Sequence, residues 1–372
     1  MAKRANGEGT IYRRKDGRWA AAVSLERGRR KHFLGRTREE VARKLAVALK
    51  ACQDGLPLPN ERQTVAQFLV DWLQTARPSL RPRTWHRYEQ YIRLHAIPHV
   101  GKVGLGRLTP HHLQRLYADR LEAGLSPTTV RHLHTVLHCA LGRAARWGLV
   151  ARNVAELVTP PRAAPHEMMT LTPEQARVFL EAAAGERCEA LYVLALTAGL
   201  RQGEILALRW RDVNLDADSV QVKGTLQRTP GGFTIAEPKT AQSRRQVTLT
   251  AAAANALRRH RSAQAEERLR LGAVWEDNDL VFANEIGRPI EAGNLLRRSF
   301  WPLLKRAGLP RIRFHDLRHT AATLMLGQGV HPKVVAEMLG HSQISVTLDL
   351  YSHVTPTMQQ QAAQAMDALL KQ

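Results

Sequence analysis

FHDLRHTAATLML, residues 314–326, and LGHSQISVTLDLYSH, residues 339–353, are the two stretches on which the reading of this chain turns. Read as a helix, the first sets His315, Arg318 and His319 on one face. Leu317, Ala321 and Leu324 fall on the opposite, buried face, so the polar trio is expected to point into a cleft or into solvent. Ahead of the second stretch, Pro332 opens a helix and Gly340 closes it, the asymmetry expected of helix ends. His341 should project from that cap, and a short helix should carry Tyr351.

Two further segments belong with these. Thr197-Ala198-Gly199-Leu200-Arg201-Gln202-Gly203-Glu204 flanks an arginine with glycines at a helix junction, where a side chain can be aimed at a ligand. Pro238-Lys239-Thr240 lies between strand-like runs. Around them, a capped helix at Thr172-Pro173-Glu174 leads into an apolar helix through Leu200. Val220 to Val222, Phe233 to Ile235 and Gln246 to Leu249 read as one small antiparallel sheet, with Gly231-Gly232 as a turn.

Working back towards the N-terminus, Thr159-Pro160-Pro161-Arg162-Ala163-Ala164-Pro165 reads as a linker. Before it, residues 62–160 are strongly helical. Thr64 to Gln67 matches a capping box, and Thr109-Pro110 and Ser126-Pro127 each set an N-cap before a proline. Arg81-Pro82-Arg83-Thr84 opens a helix through Tyr91. Residues 1–58 read as three short strands (Thr10 to Arg14, Trp19 to Leu25, Lys31 to Gly35) with turns at Asp16-Gly17 and Gly28. A helix capped by Thr37, with Glu40 completing its box, follows. The expected fold is therefore mainly helical and multidomain, with boundaries at 1–58, 62–160 and 166–372. A three-stranded sheet plus helix comes first, then a helical domain, then a mostly helical domain holding a small antiparallel sheet.

Composition narrows the partner. The 55 Lys and Arg against 33 Asp and Glu give a formal net charge of +22, a field that concentrates polyanions. Neutralising its phosphates releases counterions, which makes nucleic acid the leading partner and an anionic membrane surface the weaker one. No apolar run approaches the ~18 residues of a spanning helix, and MAKRANGEGT has no apolar stretch behind its basic residues. Three scattered cysteines, Cys52, Cys139 and Cys188, argue against a disulfide framework or zinc ribbon and fit a reducing cytoplasm. Arg13, Arg14, Arg18, Arg30 and Lys31 crowd the N-terminal sheet, and Arg81, Arg83, Arg87 and Arg131 stud the helical domain. Each group reads either as a DNA-contacting surface or as a solvated basic face. His134 and His138 lie four apart on one helix, but no carboxylate or cysteine completes a ligand set, so no metal is expected.

The four segments, in their order and spacing, resemble the tyrosine recombinase (phage integrase) family, with the match closest in residues 314–320 and 339–353. The first two domains look like the arm-site-binding and core-site-binding domains of larger integrases. The resemblance implies a site-specific recombinase that cuts and rejoins DNA through a 3′-phosphotyrosine bond, with Tyr351 as nucleophile. Arg201, Arg318 and His341 would donate to the phosphate, His315 would accept the phenol proton, and Lys239 would protonate the leaving 5′ oxygen. Glu204 would orient a neighbouring basic side chain. Lys223, on the same sheet region, competes with Lys239 for its role. The resemblance also implies double-stranded DNA with core and arm sites, a homotetramer on synapsed DNA, a directionality factor, a host DNA-bending protein and no cofactor. It implies an origin in a phage or mobile element.

Two other classes compete. A metal-dependent hydrolase would use His315 and His319, four apart. Its acid would be Asp316, however, with the cation Arg318 beside the metal, and a carboxylate cluster is missing. A helix-turn-helix regulator built on Val334 to Tyr351 explains the charge but leaves Arg201, Lys239 and the HxxR motif idle.

Overall fold

The computed structural model describes residues 9–24, 30–53, 63–164, 168–229, 231–237, 244–341, 343–345, 347–348, 366–367 and 370. The chain divides into two compact units, Met1–Pro165 and His166–Gln372.

In the first unit, β1 (Thr10–Arg13), β2 (Trp19–Ser24) and β3 (Arg30–Gly35) form an antiparallel sheet in that order, with Ala21 opposite both Ile11 and Phe33. The β1–β2 turn closes where expected, because Gly17 adopts φ +81, a conformation that favours glycine. The expected turn at Gly28 lies outside the described residues. α1 (Arg38–Gln53) packs on the sheet and buries Val41, Leu45 and Ala48 against Ala21, Val23 and Phe33. Thr37 Oγ1 accepts from Glu40 N at 3.2 Å, while the Glu40 carboxylate reaches one residue further back than expected, to Arg36 N at 2.9 Å.

A separate core gathers α2 (Val65–Ala76), α3 (Pro82–Tyr91), α4 (Ile97–Val100), α5 (Pro110–Glu122) and α6 (Pro127–Arg146) around Phe68, Leu69, Leu113, Tyr117, Leu133 and Leu137. Thr64 and Gln67 form the expected capping box. α3 does not stop at Tyr91. It widens into a π turn, Ile92–Ala96, in which Ile97 N bonds Ile92 O, and runs on into α4. Pro98 has no N–H for the ordinary ladder, so a helix carrying it must rearrange just ahead.

The second unit is built around α8 (Glu189–Thr197), in which every residue from Ala190 to Leu196 is buried. A helix apolar on all sides needs neighbours on all sides. α7 (Pro173–Ala183), α10 (Ala251–Leu271) and α13 (Phe314–Gly327) pack against it. α8 ends before Leu200, the expected end, because Gly199 takes φ +60 and turns the chain into α9 (Gln202–Ile205). The expected single sheet is two. β4 (Val213–Asn214), β5 (Ser219–Val222) and β8 (Arg245–Thr248) pair in that order, whereas β6 (Thr225–Thr229) and β7 (Gly232–Ala236) form their own hairpin. β5 buries Ser219, Val220 and Val222 and joins the core, while no residue of β7 is buried. α11 (Ala292–Leu295) and α12 (Trp301–Arg306) flank a second π turn, Leu296–Phe300, again just ahead of a proline, Pro302. α14 (Pro332–Leu339) ends on Gly340 in the left-handed conformation, φ 68 and ψ 48. The sequence from Thr355 to Gln372 also reads as a helix, and most of it lies outside the described residues. Among the described residues, no helix is long and apolar enough to cross a membrane.

Fully buried Thr320 ties α13 to the chain entering α7. Its hydroxyl donates to Asp316 O at 2.8 Å and accepts from Leu171 N at 3.0 Å. Thr320→Val keeps the shape but leaves that N–H unpaired, which costs about 1–3 kcal/mol. Calorimetry should show a lower melting temperature for the second unit, and an unchanged melt would show the bond to be idle.

Candidate active site

Five of the residues singled out by sequence meet in the second unit. Arg318, in the second turn of α13, is 2 % exposed and donates from its two terminal nitrogens to Gly199 O at 2.8 Å and Leu339 O at 2.7 Å. The expectation that this polar face looks into a cleft or solvent therefore fails for Arg318. The guanidinium is buried because two helix ends, just after α8 and at the last residue of α14, offer carbonyls with no intrahelical partner. Burial and the nearby charge of Arg201 push its pKa down to about 9, which leaves it protonated at neutral pH. Gly199 is required here twice over. Its φ is positive, and a Cβ would collide with the Leu339 side chain.

Arg201 precedes α9 and is partly exposed. Its Nη1 donates to Glu204 Oε1 at 2.7 Å, its backbone N to Glu204 Oε2 at 3.0 Å, and its Nη2 to Gly340 O at 3.2 Å. Glu204 thus holds both ends of Arg201. Burial alone would raise the Glu204 pKa, but Arg245 and Arg201 outweigh it and keep the carboxyl below the usual range.

Arg245, on β8, was not singled out by sequence. Its Nη2 donates to Glu204 Oε2 at 3.0 Å and its Nε to Met338 O at 2.5 Å, with the side chain 7 % exposed. The only sequence signal was a basic residue a few positions beyond Lys239, which a chain this rich in arginine does not make conspicuous.

His341 follows the α14 cap and places Nδ1 2.8 Å from Thr347 Oγ1. Partial burial, followed by the charges of Arg318 and Arg201, lowers its pKa to about 4. His315 keeps an exposed edge. Desolvation, then His319, Arg318 and Arg201, drive its pKa down as well. The rings of His315 and His319 meet edge to face at 4.7 Å. Both His315 and His341 are neutral at pH 7, so either can accept a proton or donate an N–H.

Lys239 and Tyr351 lie outside the described residues. Lys223, the competitor of Lys239, binds Asp212 at 2.6 Å. Asp316, the acid of the hydrolase reading, is 1 % exposed and accepts from Arg313 N at 2.8 Å and from the Arg313 guanidinium at 2.7 Å. It caps α13. Among the described residues no three His, Cys, Asp or Glu side chains gather to hold a metal, and His134 Nδ1 instead meets Tyr117 Oη at 3.0 Å. In the first unit, Arg13, Arg14, Arg18 and Arg30 are exposed on or beside the sheet, and Lys31 lies over the Phe33 ring at 5.8 Å. Arg81, Arg83 and Arg87 are exposed on or just before α3, with Arg87 stacked on Tyr91 at 5.7 Å, and Arg131 is exposed on α6.

Comparison with known proteins bears on what such a cluster does. Residues 169–358 match the phage integrase family, and residues 64–121 match the phage integrase N-terminal SAM-like domain. A tyrosine recombinase XerC-like protein of Caldanaerobacter subterraneus subsp. tengcongensis is 32 % identical over 361 residues, covering 91 % of this chain and 92 % of its own. Among solved structures, the Tn1549 transposon integrase in complex with a circular intermediate DNA superposes with a TM-score of 0.70 at 22 % identity, covering 82 % of this chain and 99 % of that one. A lambda integrase tetramer bound to a Holliday junction gives 0.58 at 16 % identity, covering 94 % and 96 %. The match over the second unit and the relative spanning nearly the whole chain agree: this protein belongs to the phage integrase family of tyrosine recombinases, the enzymes of site-specific recombination, which cut and rejoin DNA.

Proposed function

We propose that Tyr351 attacks a DNA phosphodiester held by Arg201, Arg318 and His341, and that this reaction integrates and excises a phage or mobile element. The convergence of two guanidiniums on the turn that presents neutral His341, with neutral His315 close to both arginines, supports this reading above all. The phosphodiester enters with one negative charge, and its pentacoordinate transition state carries two. Donors already aimed at that charge lower the barrier without reorganising. The Tyr351 oxygen forms the new bond to phosphorus as the bond to the 5′ oxygen breaks. The phenol proton passes to neutral His315, and Lys239 protonates the departing 5′ oxygen. If the Thr347 hydroxyl donates to His341 Nδ1, Nε2 carries the proton that meets the phosphate. The 3′-phosphotyrosine conserves the bond energy, so the reverse attack by a 5′ hydroxyl reseals DNA without ATP or metal.

Residues 1–58, with Arg13, Arg14, Arg18, Arg30 and Lys31, would bind arm-type sites. Residues 62–160, with Arg81, Arg83, Arg87 and Arg131, would bind the core site, and 166–372 would carry catalysis. Two modules on two sites raise avidity through effective concentration. The working assembly would be a tetramer on paired DNA in the bacterial cytoplasm, as the lambda integrase tetramer on a Holliday junction suggests. A directionality factor and a host DNA-bending protein would assist it.

The core site can be selected from a random duplex pool with Tyr351→Phe. On a nicked duplex of that site, wild type should leave a denaturant-resistant adduct, and Tyr351→Phe should bind with equal affinity and leave none. An adduct formed by the variant removes Tyr351 as nucleophile.

His341 is neutral in the free protein and gains a proton when a phosphate anion docks beside it, while His315 stays neutral as the base, so DNA affinity should rise as pH falls from 7 towards 5. Calorimetry in buffers of different ionisation enthalpy should show proton uptake at pH 6, reduced in His341→Gln. Binding without proton exchange would mean that the phosphate does not meet the His341 ring.

A further inference from the structure

We infer that Arg245 is a positioning residue for DNA cleavage: it acts through the Glu204 carboxylate to aim Arg201, and through Met338 O to hold the turn that presents His341. The inference rests on the proposed roles of Arg201 and Tyr351 and adds a residue to them.

Three chain segments distant in sequence meet at this one side chain. β8 supplies the guanidinium, α9 the carboxylate at 3.0 Å, and the last turn of α14 the carbonyl at 2.5 Å. The Glu204 oxygens are divided: Oε1 takes Arg201 Nη1, and Oε2 takes both Arg201 N and Arg245 Nη2. Arg245 therefore fixes the rotation of the carboxylate, and the carboxylate fixes Arg201. At the far end, Gly340 lies against the same guanidinium. A Cβ there would stand 3.0 Å from Arg245 Nη1, and Arg201 Nη2 donates to Gly340 O at 3.2 Å. The glycine thus serves two ends, the left-handed cap of α14 and the close approach of Arg245.

Charge favours the same reading. Arg201 and Arg318 against Glu204 alone would leave one net positive charge; with Arg245 the cluster carries two. Two matches the charge of the pentacoordinate transition state better than that of the ground-state diester, and only such a differential speeds the chemical step. Arg245 is 7 % exposed and committed to protein groups, so it supplies this field without being a phosphate ligand.

The test is a double-mutant cycle in the full-length chain, reading single-turnover cleavage of the nicked core duplex selected above. Arg245→Met should slow cleavage about 30-fold, less than the roughly 100- to 1000-fold cost of losing a donor that touches the developing charge, because Arg245 acts through other groups, with DNA affinity little changed. In a Glu204→Gln background the same substitution should cost several-fold less, the remainder being what Arg245 does through Met338 O and its charge. Arg245→Lys, which keeps the charge but loses the fork, should restore part of the rate. With its partner removed, Glu204 should also titrate at higher pH, moving the acid limb of the rate profile upward. If Arg245→Met does not fold, Arg245→Lys carries the cycle. Equal costs in the two backgrounds, or a loss confined to DNA affinity, would overturn the inference. Failure of the wild type to form any adduct would instead sink the functional reading beneath it.

Discussion

A guanidinium sealed from water between two helix ends is the constraint on which the second unit depends. Arg318 is almost wholly buried, and an unpaired buried cation would be untenable. Its partners are the carbonyls of Gly199 and Leu339. Carbonyls at helix C-termini carry the negative end of the helix dipole and lack partners of their own. The arginine and the two helix ends thus satisfy each other, and the bond fixes where the turn after α8 stands relative to the turn after α14. Those two turns carry Arg201 and His341.

Around this anchor the site is stiffened by ion pairs and neutral hydrogen bonds among protein groups. Glu204 is held by two arginines, Asp316 by Arg313, and Thr320 by two backbone groups. Such contacts contribute modestly to net stability, since desolvating charged groups offsets most of their attraction. Their contribution is geometric. A catalyst that works by aiming fixed dipoles at a developing charge loses its advantage if those dipoles must reorient during the reaction. The neutral histidines fit the same logic. Burial, helped by the neighbouring arginines, keeps them uncharged, so the free site is not burdened with two more cations.

Local chemistry made much of the fold legible. Thr64 with Gln67, Thr172 with Gln175, Pro332 with Gly340 and the turn at Gly17 act within a few residues, and their elements stand close to where the pattern puts them. What stayed hidden acts over longer range. Both π turns precede a proline that reads locally as a helix stop, yet packing on either side carries the helix through. β5 and β7 both look like half-apolar strands, but only β5 finds a core to bury its side chains, so they part into different sheets.

By itself the sequence determined the family, the helical framework and the identity of the charged groups, because motif order and spacing are properties of the chain. It also named Arg201, Glu204, His315, Arg318 and His341 as a set. Only the tertiary structure decided that Arg318 is buried and that Arg245 joins the set. The physical reason is the same for both. A charge leaves water only when partners from remote segments are already in place, and for these arginines those partners are backbone carbonyls and a carboxylate that no local pattern announces.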